Sequence, residues 1–312
     1  MANLIKIMGL SLEDKPGEVG GDRGVFTGGY NLKNEIDYIT ISSAGNATDF
    51  GNMTVYIQTH DTCSNGGSQR GMTGGGNNTI GVTANTEYVT INSAGNATDG
   101  GNLTVARRGI AAFSNNTNDR GVWSGGYTTS ESDVIDYKTI STDSSSTDFG
   151  DMTASRNAPT GASNMTNERG LTINGSVSGA GQNNIDYVTI NSVGNATDFG
   201  DRRASYYAGA TSNGTNERGV IAGGDVGGST QYIDYVTINS AGNSTYFGDL
   251  TASRQGIGGT SNNTNERGVW CGGNSSGDDD IIDYITINST GNAIDFGNLI
   301  SSKYYLGATS NA

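Results

Sequence analysis

Proline is almost missing from this chain, at two of 312 residues, and histidine occurs once, as His60. A single histidine excludes multi-histidine metal sites and repeated Ser-His-Asp triads. A lone triad on His60 would have no nucleophile-elbow motif around it. The two cysteines, Cys63 and Cys271, are too few and too far apart for a disulfide framework. Basic residues are scarce, 17 against 31 acids, which leaves a formal net charge of −14. That balance argues against nucleic acid as a partner, because phosphate binding needs a basic face. No run approaches the ~20 apolar residues of a membrane span, so no membrane insertion is expected. The apolar start, Leu4 to Leu10, is short for a secretory leader, and the mature chain is expected to begin near Met1. No glycine-rich loop leads into a helical pattern, so phosphate cradles of that kind are not expected.

Glycine, by contrast, is abundant at 50 residues, and asparagine, serine and threonine carry most of the polarity. These residues recur at fixed places. An Arg-Gly pair marks six copies of one unit, at Arg23, Arg70, Arg120, Arg169, Arg218 and Arg267, in steps of 47, 50, 49, 49 and 49 residues. One copy reads Asn216-Glu217-Arg218-Gly219-Val220, Gly223-Gly224, Ile233-Asp234-Tyr235-Val236-Thr237-Ile238, then Ser244-Thr245-Tyr246-Phe247-Gly248-Asp249-Leu250. A near-constant period of this length indicates a repeat architecture.

Each unit holds four short apolar runs separated by Gly/Asn/Ser turns, and the Ile-Asp-Tyr-x-Thr-Ile run alternates with the period of two that marks a strand. No segment carries a helical period over helical length. The expected fold is therefore all-β, a six-bladed β-propeller of four-stranded antiparallel blades. Residues 20–312 form the single propeller domain, and residues 1–19 stand outside the repeat as an N-terminal strand or attachment arm. The repeat enters at a second strand, Arg23 to Phe26, and ends after a first strand, Tyr304 to Ser310. Joining the C-terminal strand to the N-terminal blade would close the ring and remove two exposed sheet edges. Inserting it into a neighbouring molecule would instead make a polymer.

The Gly-Gly pairs at the end of the second strand (Gly28-Gly29, Gly75-Gly76, Gly125-Gly126, Gly223-Gly224, Gly272-Gly273), followed by an aromatic strand, resemble a kelch-type propeller. Copy four departs with Asn174-Gly175. The fourth-strand tryptophan of that pattern is replaced by Phe50, Phe149, Phe199, Phe247 and Phe296, with Gly100 in copy two. The wording of the repeat over residues 20–312 is similar to Gly-rich virion structural or tail-fibre proteins of marine bacteriophages. That resemblance implies a virion or extracellular location, with other virion or filament subunits as partners. It leaves the role open, since propellers host unrelated functions.

Antiparallel strands alternate direction, so connections one–two and three–four share a face, and two–three and four–one share the other. The first face repeats almost unchanged. The two–three loops differ widely between copies, which is how loop-borne binding sites are usually built on a constant scaffold. The candidate ligand-binding residues on them are Tyr30, Asn31, Asn77, Asn78, Tyr127, Asp225, Tyr232, Asn274, Asp278 and Asp279. Asp37, Asp136, Asp186, Asp234 and Asp283, with Glu87 in copy two, recur beside the six repeated arginines. These acids are expected to form structural ion pairs with Arg23, Arg70, Arg120, Arg169, Arg218 and Arg267, since guanidinium favours bidentate carboxylate pairing.

No cofactor and no catalytic residue is expected. Calcium is the one metal to consider, because Asp278-Asp279-Asp280 and the repeated Asp/Asn groups offer oxygen ligands, though without an EF-hand pattern. The first expectation is a non-enzymatic structural and recognition module that binds a host-surface glycan or another virion protein through the variable face. A self-assembling filament or adaptor, built through residues 1–19 or the C-terminal strand and so a homo-oligomer, is the alternative. A carbohydrate-active enzyme is a further one, since acids are plentiful.

Overall fold

A computed structural model describes residues 21–31 and 33–312, and the proposed N-terminal arm at 1–19 lies outside them. The fold is all-β and propeller-like. Six antiparallel sheets follow one another along the chain, each built on the four runs read from the sequence. The fifth sheet shows the pattern: Gly209–Ser212, Arg218–Ala222, Thr230–Thr237 and Thr245–Arg254, hydrogen-bonded in that order. The first sheet takes its innermost strand, Gly307–Ser310, from the other end of the chain. That strand pairs antiparallel with Arg23–Thr27, with Val25 opposite Thr309. The fourth sheet carries a fifth strand, Ser176–Val177, and a small three-stranded sheet joins Ile57–Gln58, Asn77–Asn78 and Gly81–Val82.

The two inner strands of each sheet are nearly all buried, the third is half-buried, and the outer one is mostly exposed. The outer strand bulges where its Phe falls: Ile135 faces Gly150 while Asp136 faces Asp148, leaving Phe149 as the extra residue. A bulge re-aims one side chain, and the buried phenylalanines sit edge-on to the third-strand tyrosines, as in Tyr137–Phe149 at 5.8 Å.

The apolar core is divided among the joints between sheets. Each cluster of buried residues draws on two neighbouring sheets; one joins Leu171, Ile173 and Phe199 to Ile221, Val236 and Ile238. Another joins the sixth sheet to the first, through Val269, Cys271 and Phe296 with Phe26, Ile39 and Ile41. No unit buries its faces alone, which is why the repeat needs neighbours.

Candidate functional site

The expected pairing of the Arg-Gly arginines with the Asp-Tyr acids is corrected by the structure. Arg218 donates to the carbonyl of Ile287 in the next sheet, 3.0 Å away, and lies 4.4 Å over the ring of its own Tyr235. Arg23, Arg70, Arg120, Arg169 and Arg267 repeat this with Ile91, Ile140, Ile190, Ile238 and Ile41. Each stacks on the third-strand tyrosine of its own sheet. The acids are engaged by a different basic residue, one that lies in or just after the outer strand of the preceding sheet. Arg107 pairs with Asp136, Arg156 with Asp186 at 2.6 Å, Arg254 with Asp283 at 2.5 Å, and Lys303 lies 2.9 Å from Asp37. Asp234 takes Arg202, three residues before the place that Arg254 holds in its own unit, where Ser205 stands instead. These pairs are almost fully buried, and burial holds Asp37 and Asp136 above the ordinary carboxylate range against the pull of their cations. The physical reason is position. The Arg-Gly arginine starts the second strand at one face, whereas the acid lies deeper, where the end of the neighbouring outer strand reaches it.

The Asn-x-x-Asn-Glu-Arg wording forms a clasp. Asn213 Oδ1 accepts the backbone N–H of Arg218 at 2.7 Å and so closes the turn. Its amide donates to Glu266 of the next sheet at 3.1 Å. The same reach links Asn65 to Asp119, Asn115 to Glu168, Asn164 to Glu217, Asn262 to Asp22 and Asn311 to Gln69. All of this lies on the face whose loops repeat.

On the opposite face lie the starts of the innermost strands. Six residues occupy equivalent places there: Thr59, Gly109, Ala158, Tyr207, Gly256 and Tyr305. Each N–H donates to the carbonyl of the preceding one at 2.7 to 3.2 Å, and Thr59 N–H donates to Tyr305 O at 2.9 Å, so the circuit returns to its start. All six hold φ between 54° and 66°, a left-handed conformation natural to Gly109 and Gly256 and costly for a tyrosine.

Inside the circuit is a cavity of about 110 Å³ lined by the beginnings of these strands. Asp61 lines it, accepting the N–H groups of Thr62 and Ala112 at 2.8 and 2.7 Å. Burial pushes its carboxyl up to about 7. Other units place Ala111, Thr160, Gly209, Gly258 and Gly307 at the position of Asp61. His60 is buried beside it. Its Nε2 lies 2.9 Å from Thr27 Oγ1 and accepts the N–H of Gly307 at 3.2 Å, and burial lowers the imidazole to about 4. At the other end of the inner strands, Asn116 donates to the carbonyl of Ala312 at 2.7 Å.

Over the cavity lies a chain of five tyrosines. The ring centroids of Tyr206 and Tyr207 are 5.2 Å apart, and the steps Tyr207–Tyr305, Tyr305–Tyr304 and Tyr304–Tyr30 are each 4.4 Å. Burial and the neighbouring phenols push Tyr304 and Tyr305 far up, so both stay protonated at neutral pH.

Of the residues expected to bind a ligand, Tyr30 enters this cluster. Asp278 is close enough to Tyr304 to raise its phenol further. Asp225 bonds through its backbone to Tyr206, while its carboxylate accepts the N–H groups of Gly227 and Gly228 and shapes its own turn. The others are dispersed. Asn31 is a left-handed turn residue. Asn77 and Asn78 pair with Ile57–Gln58 in the small sheet. Asn274 bonds by its backbone to Gln255, and Asp279 N–H donates to Gly273. Tyr127 lies under Arg108 at 5.0 Å, and Tyr232 lies under Arg203 at 4.0 Å on the outer part of its sheet. Among the described residues no group of three or more His, Cys, Asp or Glu is placed to hold a metal ion.

Sequence reasoning missed Tyr206, Tyr207, Tyr304, Tyr305, Asp61 and His60 because it weighed the two–three loops and passed over the four–one turns. A signal was there. The units read Gln58-Thr59, Arg108-Gly109, Asn157-Ala158, Tyr206-Tyr207, Gln255-Gly256 and Tyr304-Tyr305 at one register, and the two Tyr-Tyr copies stand out. No protein-family model and no curated protein matches the chain. Among the described residues no helix is long and apolar enough to cross a membrane.

Proposed function

We propose that the chain is a non-enzymatic recognition and structural module, a closed six-bladed kelch-like propeller that presents one variable face to a ligand. The closed ring is supported by the circuit of six backbone hydrogen bonds, by the Arg267–Ile41 and Lys303–Asp37 links between the last and first units, and by the core cluster shared between the sixth and first sheets. A virion appendage is the setting, and the resemblance of the repeat wording to phage tail-fibre and virion proteins supports it. The partner is a host-surface glycan or another virion protein.

The observation that carries the recognition role is the division of labour between the faces. The repeated Arg, Asp, Asn and Glu side chains are engaged in joints between sheets. The face with divergent loops gathers half-exposed tyrosines around a cavity. Aromatic rings with protonated hydroxyls supply flat contact area and orienting hydrogen bonds, the usual make-up of a ligand site. The C-terminal strand is paired with the chain's own first sheet, so this reading does not use it for filament growth.

The test probes an oligosaccharide array and purified virion proteins with the intact protein. In parallel it uses a variant whose 225–231 loop is shortened and one carrying Asn216→Ala on the other face. Binding lost with the loop variant and kept with Asn216→Ala is the expected result. Binding that survives every variable-face change but fails with Asn216→Ala would refute the assignment of the face.

A further inference from the structure

We infer that the tyrosine chain and the Asp61-lined cavity beneath it form one binding site for a neutral, pyranose-based oligosaccharide, with a sugar ring laid on Tyr207 and Tyr305 and a hydroxyl directed at Asp61. The inference rests on the variable-face reading above and narrows it to one place and one ligand class.

Four observations converge. Tyr207 and Tyr305 both belong to the wall of the cavity and to the aromatic chain, so the platform and the pocket are continuous. Both keep a left-handed backbone that the equivalent Gly109 and Gly256 adopt without strain. Nothing in the hydrogen-bond circuit requires a side chain there, since it is made by backbone groups alone. Strained residues held against an easy glycine alternative within the same repeat mark a place where the side chain matters. The third observation is Asp61. Its two oxygens accept one backbone N–H each, which leaves carboxylate lone pairs free for a ligand hydroxyl.

The fourth is charge. Among the described residues no lysine or arginine lines the cavity, while Asp61 lines it and Asp225 and Asp278 lie beside Tyr206 and Tyr304. An acidic sugar would meet carboxylates with no cation to receive it. A pyranose presents an apolar C–H face to an aromatic ring and hydroxyls to a carboxylate, which is the complement of what the site offers. The phenols of Tyr304 and Tyr305 stay protonated and can both donate and accept.

The repeat supplies variants that preserve the fold. Tyr207→Gly and Tyr305→Gly copy Gly109 and Gly256, and Asp61→Ala copies Ala111, so each residue already stands at that register elsewhere in the chain. The intact protein is titrated calorimetrically with maltohexaose, cellohexaose, chitosan hexamer and a sialic-acid oligomer, and then each variant is titrated with whichever ligand binds. Thermal unfolding confirms that the variants remain folded. Binding of a neutral hexamer, weakened about tenfold or more by Tyr207→Gly or Tyr305→Gly and also weakened by Asp61→Ala, is the expected result. Binding of a neutral hexamer that all three variants retain, but that shortening the 225–231 loop removes, would overturn this site and leave the variable-face reading standing. Binding of only the sialic-acid or chitosan ligand would overturn the ligand class. No binding of any of the four overturns the inference, and the variable-face reading then stands or falls on the virion-protein arm of its own test.

Discussion

On the constant face, Arg218 reaches 3.0 Å to a carbonyl of the next sheet and lies over Tyr235, so its guanidinium is spent on the joint. On the variable face, the structural circuit is made by the backbone of Thr59, Gly109, Ala158, Tyr207, Gly256 and Tyr305, and the side chains at those places are free to differ. The contrast explains the pattern of repetition. Where a joint needs a guanidinium, an amide or a carboxylate, every unit must carry it. Where the joint needs only N–H and C=O, each unit can carry Thr, Gly, Ala or Tyr. The variable face therefore tolerates side chains chosen for recognition.

Substitutions that attack the joints should cost stability, and those that attack the variable side chains should not. The largest effect is expected at a buried ion pair. Asp186→Ala strands Arg156, whose guanidinium lies 2.6 Å from the lost carboxylate, and should remove about 3–5 kcal/mol in a urea unfolding titration. Arg218→Ala removes a charged hydrogen bond and a ring contact at a half-buried place, and should cost about 2 kcal/mol by the same measurement.

The second sheet departs from the repeat and compensates for the departure. Val188 shares a core cluster with Phe149, and Val236 with Phe199. At the joint of sheets two and three, Gly100 stands in place of the phenylalanine and Lys138 in place of the valine. The lysine is buried, and its ammonium donates to the carbonyl of Gly100. The long stem fills the space that the missing ring would leave. Gly100→Phe or Lys138→Val alone should cost about 1–3 kcal/mol. The two together should restore the pattern of the other joints, with a favourable coupling of about 1 kcal/mol or more in a double-mutant cycle. Toward the acid of this sheet, Glu87, the preceding unit supplies Ile57 where Arg107, Arg156 and Arg254 stand elsewhere, and Glu87 accepts from Thr54. Burial pushes Glu87 above the ordinary glutamate range.

A pH-dependent effect belongs to Asp61. Its carboxyl is raised from 3.8 to about 7 in the folded protein, so folding favours the protonated form. The stability it contributes is full below about pH 4 and is lost as pH rises toward 7. Asp61→Asn should flatten the unfolding free energy across that window. His60 acts in the opposite sense, since its lowered value makes folding favour the neutral ring, and its contribution is lost as pH falls from 6.5 toward 4. The smallest effect is expected at Ile80, which is 93% exposed at a hairpin tip. Ile80→Ser should change stability by no more than about 0.5 kcal/mol.

The all-β class and the four-run unit were legible because strand periodicity and turn residues are local signals, repeated six times. The pairing of Arg23–Thr27 with Gly307–Ser310 was also foreseeable, since each end of the repeat lacked what the other had in excess. The partners of the charges were not legible. Arg218 and Asp234 are sixteen residues apart, and the equivalent spacing in the other units is 14 to 17, which suggested a pair, yet Asp234 meets Arg202 and Arg218 meets Ile287. Sequence spacing gives the side chains that a unit owns. It does not give the lateral offset between neighbouring sheets, which decides whose arginine arrives at whose aspartate.

The same limit applies to the candidate site. The unit, its strands, its acidic and cation-poor composition, and the presence of one repeating and one divergent face can all be read along the chain. Each of these follows from local propensity and composition. That Tyr30, from near the start, and Tyr304 and Tyr305, from near the end, lie with Tyr206 and Tyr207 beside a cavity that Asp61 lines is a product of the packed fold. Those contacts join residues up to 275 positions apart, from Tyr30 to Tyr305. They exist because the inner strands pack side by side and bring their starting turns together.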